Sequence, residues 1–195
     1  MSTILSVQTQ NPPMDDTELV IQASTSADAF AELYRRHVTR VYRYHLVHTG
    51  SVGDAEDLTS QTFIAALEGL HTYRNEGSFA AWLMGIATRK KALFFRGRRQ
   101  EELPLDALLD VPAPGLLTDQ AALQRMRIEK VHRALRHLSP DRAEAITLCF
   151  FGGLTTVEIG RVLRKNDAAV KMLLSRGLKD LRERTSLALE VKSEE

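Results

Sequence analysis

Between Glu101 and Thr118 the chain carries Pro104, Pro112, Pro114 and Gly115 among Leu and Asp residues. Proline at that density cannot lie in helix interiors, because each removes a backbone donor and clashes with the preceding turn. On both sides the apolar residues recur at three- and four-residue steps, and no strictly alternating run reaches strand length. The sequence therefore predicts an all-α protein of two small helical domains joined by a flexible linker. With 195 residues and 44% apolar content the chain can bury a sizeable core. The expected boundaries are a disordered tail over 1–14, a first domain over 15–99, the linker over 100–118, a second domain over 119–189 and a tail over 190–195. Leu103, Leu105, Leu108 and Leu109 would let the linker lie in a groove.

In the first domain Phe30, Leu33, Tyr34, Val38, Val41 and Tyr42 form one helical face, closed by Gly50 and Gly53. A second helix is expected from about Asp54 to Leu70, capped by Ser51 or Asp54. A third, from about Phe79 to Phe95, would bury Trp82, Leu83 and Ile86. Beyond the linker, Ile128, Val131, Leu135 and Leu138 make a further face that ends at Ser139-Pro140.

A net charge of +1 conceals segregated charges. Residues 44–73 contain no Lys or Arg but carry Asp54, Glu56, Asp57 and Glu68, whereas 89–99 hold Arg89, Lys90, Lys91, Arg96, Arg98 and Arg99 with no acid. The basic run is dense enough to be an electrostatic footprint for phosphates; a solvated helix end would have the same composition.

Near the carboxyl end Thr155 and Glu158 have capping-box spacing, so a helix starts there and buries Val157 or Ile159 together with Leu163. It breaks across Arg164 to Asn166, and Asn166 or Asp167 caps the next helix, giving a helix-turn-helix. On this second helix Val170, Leu174, Leu178 and Leu181 line the back, while Lys171, Ser175, Lys179 and Arg182 line the adjacent front. From Arg161 to Arg184 there are eight basic residues against three acids. That balance suits a helix lying in the major groove of DNA; an ordinary amphipathic surface helix is the competing account.

Over residues 28–184 the chain resembles the extracytoplasmic-function (ECF) sigma factors of RNA polymerase. The resemblance rests on Ala55-Glu56-Asp57-Leu58-Thr59-Ser60-Gln61-Thr62-Phe63, then Phe79, Trp82-Leu83 and Ile86-Ala87. It continues in Leu138-Ser139-Pro140-Asp141-Arg142, Leu154 to Gly160, Val170-Lys171 and Ser175 to Lys179. It implies a sigma factor that binds bacterial core RNA polymerase and directs promoter recognition. Asp54, Asp57, Ser60 and Gln61 would then bind the polymerase. Arg74, Asn75, Glu76, Gly77 and Ser78 would capture an unstacked base of the −10 element, and Lys90, Lys91 and Arg96 would hold nearby DNA backbone. Asp167, Ala168, Lys171, Met172, Ser175, Arg176, Lys179 and Arg182 would read the double-stranded −35 element. The resemblance also admits an anti-sigma factor as a partner. The chain departs from the family pattern at Ser60, where Gln is usual, at Arg89 and Leu93, where Asn and Asp are common, and at Arg164, where the turn normally has Gly.

Other classes find little support. His45 and His48 have i, i+3 spacing but no further ligand, so neither a metal nor a cofactor is expected. Gly152-Gly153 lacks the Lys-Ser/Thr of a phosphate loop, no nucleophile motif is present, and no enzymatic activity is expected. A helix-turn-helix regulator acting without polymerase is the alternative, but it would not need the acidic helix or the Trp82 module. The apolar stretch Phe79 to Ala87 is nine residues, well short of the roughly 20 that span a bilayer. The first basic residue is Arg35, which argues against a secretory signal and for the cytoplasm. A lone Cys149 in an apolar run reads as a core residue.

Overall fold

The computed structural model describes residues 15–75, 77–100 and 119–190, with side chains described to Arg98 in the first stretch of helices, from Met126 after the gap, and to Glu183 at the carboxyl end. The expected tail over 1–14, all of the expected linker beyond Gln100, Glu76 and the last five residues lie outside the described residues. Eight α-helices are present among the described residues, with no strand: α1 (Asp16–Ala23), α2 (Ala27–Thr49), α3 (Val52–Gly69), α4 (Phe79–Gln100), α5 (Asp119–Arg136), α6 (Pro140–Phe150), α7 (Thr156–Leu163) and α8 (Asp167–Glu190). The all-α expectation is met. Helix α1 was not anticipated: Leu19, Val20 and Ala23 are buried, but eight residues are too few for a clear periodicity.

Helix α2 starts at Ser26, whose hydroxyl accepts from the Ala29 amide at 3.4 Å, and ends at Gly50 in a left-handed conformation (φ 70). Its buried row is Ala29, Leu33, His37, Val41, Tyr44 and Val47. Ser51, rather than Asp54, caps α3 by accepting from the Asp54 amide at 3.3 Å, which puts the Asp54 carboxylate in the first turn. Packing of α2, α3 and α4 encloses Leu33, Phe63, Ala66, Phe79, Leu83 and Met84.

In the other half, Pro140 opens α6 at its first turn, where its missing amide costs nothing. Gly177 lets α8 approach α6, since a Cβ there would sit 2.6 Å from Ile146 Cδ1. The apolar cluster of the first half continues through Ala145, Leu148, Leu154, Ile159 and Val170 of the second. Thus α2 and α4 pack against α5, α6 and α7, joining the two halves among the described residues.

Candidate nucleic-acid and polymerase interface

On α3, Asp57, Ser60 and Gln61 face solvent together, on the side opposite the buried Ala55, Leu58, Thr59 and Thr62. Exposed Ile64 and Leu67 continue that face toward the carboxyl end of the helix. Asp54 differs from the other three. It is only partly exposed, and Arg98 of α4 reaches it with Nη1 at 3.2 Å from Oδ2, a basic neighbour that the local sequence did not reveal. Arg98 also lies over the Phe94 ring at 4.5 Å, which fixes the guanidinium between the two helices.

The loop between α3 and α4 is held by Tyr73, whose hydroxyl donates to the Gly77 carbonyl at 2.7 Å. Asn75 takes a left-handed backbone (φ 56) that an amide side chain tolerates better than most, and Arg74 and Asn75 are exposed. Ser78 caps α4 by accepting from the Ala81 amide at 3.2 Å, and its own hydroxyl donates to Glu158 of α7. Of the expected backbone-binding residues, Arg96 is exposed and Lys90 half-buried, while Lys91 is largely covered and paired with Glu144 of α6. A cleft of about 240 Å³ lies beside this run, between α3 and α4, lined by Gly69, Trp82, Ile86, Arg89, Lys90 and Leu93. Trp82 is therefore half-buried with one side on the cleft, not fully enclosed.

The capping box at α7 is complete: Thr155 accepts from the Glu158 amide, and the Glu158 carboxylate accepts from the Thr155 amide at 2.8 Å. Hydrogen bonds from Ser78 and Thr155 hold this carboxyl below the ordinary Glu range against the opposing effect of burial. Ile159 is the buried residue of the first turn and Val157 is exposed. Arg164 adopts the left-handed turn conformation (φ 56, ψ 45), so the turn keeps its geometry without Gly. Gly160 is needed for close approach there, as a Cβ would lie 2.6 Å from the Lys165 carbonyl oxygen. Asn166 caps α8, accepting from the Ala169 amide at 2.8 Å.

Along α8, Ala168, Lys171, Met172, Ser175, Arg176, Lys179 and Arg182 are exposed, on the face away from buried Val170 and Gly177. Asp167 pairs with Lys171 at 2.6 Å and accepts from Thr156 at 2.5 Å. The Lys171 hydrogen bond, then that of Thr156, lowers its carboxyl. Lys179 lies 3.7 Å from Glu183. The basic front inferred from spacing is thus a solvent-facing row, braced at its start by one carboxylate.

One side chain that joins the two halves escaped the sequence reading. Glu144 is the single charged residue of the apolar run 143–151 and is 8% exposed. It accepts from the Tyr44 hydroxyl at 2.5 Å and from Lys91, linking the two halves. An isolated acid in an apolar run is the signal that would have singled it out. His45 and His48 are interior residues: among the described residues no group of three His, Cys, Asp or Glu could hold a metal ion. No helix of the described residues is long and apolar enough to cross a membrane.

Comparison with known proteins agrees with this geometry. Residues 33–101 match the family model of sigma-70 region 2, and residues 128–181 that of sigma-70 region 4. The chain is 36% identical over 167 residues to the ECF RNA polymerase sigma factor BldN of Streptomyces coelicolor, covering 84% of this chain and 63% of the relative. It is 36% identical over 158 residues to the ECF sigma factor SigE of Mycolicibacterium smegmatis, covering 78% of this chain and 60% of the relative. The chain therefore spans about three fifths of the length of these two proteins. For SigX of Bacillus subtilis the identity is 28% over 170 residues, covering 84% and 87%. The fold is similar to that of CnrH bound to the cytosolic domain of CnrY, with a TM-score of 0.69 at 22% identity over 88% of this chain and 97% of that one. It is also similar to the sigma factor RpoE of Bartonella quintana bound to the anti-sigma factor NepR, with a TM-score of 0.61 at 20% identity over 80% and 96%. With region 2 on the helices that carry the acidic face and basic run, and region 4 on the helix-turn-helix, the chain belongs to the ECF RNA polymerase sigma factors.

Proposed function

We propose that this chain binds bacterial core RNA polymerase and directs it to promoters, with no chemistry of its own. The observation that carries the proposal is the presence on one chain of two separate solvent-facing surfaces. One is the α3 face of Asp57, Ser60 and Gln61, suited by charge to a basic partner helix; the other is the cationic row of α8, suited to duplex DNA. To the −10 element we assign Arg74, Asn75, Glu76, Gly77 and Ser78 with Lys90, Lys91 and Arg96. Trp82 in its cleft, flanked by Arg89 and Lys90, offers the aromatic and cationic groups on which unstacked bases rest.

On α8 we assign the amino-terminal residues Asp167, Ala168, Lys171, Met172 and Ser175 to base edges of the −35 element, and Arg176, Lys179 and Arg182 to phosphates. An anti-sigma factor belongs to the same proposal, since the solved relative RpoE is bound to one. Run-off transcription with core polymerase on genomic promoter fragments, with and without this chain, tests the reading. Chain-dependent transcripts are expected; DNA binding that proceeds equally well without polymerase, as a palindrome-binding dimer, would replace it by a polymerase-independent regulator.

A further inference from the structure

Resting on the assignment of the loop between α3 and α4 to base capture, we propose that the Tyr73 hydroxyl is a positioning group for base selection. It orients the Asn75 amide so that the loop offers a hydrogen-bond donor, and the captured base is thereby favoured when it carries a keto rather than an amino group. Tyr73 stands at the end of the short helical turn 70–72, just before the loop. Its ring lies 5.9 Å from that of Phe79 at 84° and 5.5 Å from that of Trp82 at 59°. Phe79 is buried and meets the His37 ring at 5.2 Å, and His37 Nε2 is 2.7 Å from the Asp16 carboxylate. The phenol therefore projects from a packed aromatic group that belongs to the core of the first half, and its place does not depend on the loop that it touches.

That hydroxyl has one proton and two acceptors in reach, the Gly77 carbonyl at 2.7 Å and Asn75 Oδ1 at 3.2 Å. Burial, then the charges of Asp16 and Asp15, raises the phenol above the ordinary tyrosine range, so it remains a donor at neutral pH. Asn75 is exposed and holds a left-handed backbone (φ 56), which directs its side chain back to the hydroxyl. With Oδ1 drawn to Tyr73, the planar amide turns Nδ2 away from it, and Nδ2 can only donate. An unstacked base arriving at the loop therefore meets a donor. O4 of thymine or O6 of guanine accepts it, whereas the amino groups of cytosine and adenine bring hydrogens of their own. Without the hydroxyl, the amide of an exposed Asn can turn over and serve either kind of edge, because its terminal torsion is broad and roughly two-fold. Selectivity then comes from the group that fixes the amide, and Tyr73 is that group.

Run-off transcription by core polymerase with the full chain tests this role, on a promoter fragment that responds to the wild-type chain and in which each −10 base is replaced in turn by the other three. At one position the wild-type chain is expected to favour the keto bases, T and G, over the amino bases, C and A, by about tenfold. Tyr73→Phe keeps the ring against Phe79 and Trp82 and removes only the hydroxyl. It should bring that ratio near unity while the preferences at other −10 positions persist. An even loss of transcript over all templates, which is what a merely structural role predicts, would overturn the proposal, as would a wild-type preference for amino bases at the captured position. Asn75→Gly, which keeps the left-handed backbone available, should abolish the same ratio, and adding Tyr73→Phe to it should change the ratio no further. A further loss in the double variant would show that Tyr73 acts without Asn75 and would also overturn it. A wild-type chain indifferent to every replacement would instead remove the −10 assignment on which this role rests.

Discussion

Arg164 holds a left-handed backbone in the turn between α7 and α8, a conformation in which a Cβ costs roughly 1 kcal/mol. Arg164→Gly should therefore stabilise the protein by about that amount, read as a rise in thermal midpoint of a few degrees, with the turn unchanged. Gly177 is the opposite case. Its missing side chain is what lets α8 touch Ile146; in Gly177→Ala the Ile146 Cδ1 must swing aside, which offsets the roughly 1 kcal/mol that Ala gains over Gly in a helix interior, so denaturant unfolding should show a net change within about 1 kcal/mol. His45 adds a pH dependence. Thr62 donates its hydroxyl to the Leu58 carbonyl, so His45 must donate from Nε2 to Thr62, which leaves Nδ1 buried without a protein partner. Burial, helped by the Lys91 charge, pushes the imidazole down to about 3. In the unfolded chain it would protonate near 6.5, so below that pH the unfolded state binds the extra proton and stability falls as pH drops toward 3. Urea unfolding at pH 7 and pH 5 should show the loss, and His45→Gln should reduce its slope by up to about 1.4 kcal/mol per pH unit. An equal slope in the variant would move the effect to His48, which burial also keeps neutral.

At the scale of single helices, α3 and α8 carry the functional assignments, and each makes a distinct demand. Asp57→Lys reverses charge on an exposed position of α3 and leaves the buried Leu58 and Thr62 untouched. Loss of co-purification with core polymerase is expected, with wild-type helicity; retained binding would remove Asp57 from the interface. On α8, Lys171→Ala also releases Asp167 from its ion pair, so both base preference and the local charge change. If Lys171 meets a base edge, the variant should lose about 1 to 3 kcal/mol and relax preference at one or two −35 positions in a selection experiment. Arg182→Ala should weaken binding evenly and reduce the salt dependence by about one unit of slope. These elements were legible because caps, glycines and apolar rows are local: Ser26, Ser51 and Thr155 lie three residues before the amides they satisfy. Side-chain pairing across elements was not local. Nothing near Asp54 in the chain announces Arg98, 44 positions away by number, so its carboxylate read as free when it is paired.

For the whole molecule the decisive feature is that one apolar cluster runs through both halves, from Leu33 and Phe79 to Leu148 and Val170. Periodicity alone supplied two helical halves, the helix-turn-helix with its basic front, and the acidic stretch of α3. Those properties depend on residues within a few turns of each other, where backbone geometry sets which side chains share a face. How the halves face one another depends on pairs far apart in the chain. Tyr44 with Glu144, Lys91 with Glu144 and Ser78 with Glu158 are each the meeting of residues whose spacing has no period to read. Lys91 shows the consequence most clearly: composition made it one more cation in a basic run, and only the tertiary structure made it the buried partner of a distant carboxylate. A charge pattern along a chain records which ions are neighbours in sequence. Desolvation and pairing are set by neighbours in space, so the sequence determined the elements and their faces, and the packing of α2 and α4 against α6 and α7 decided which charges remain available.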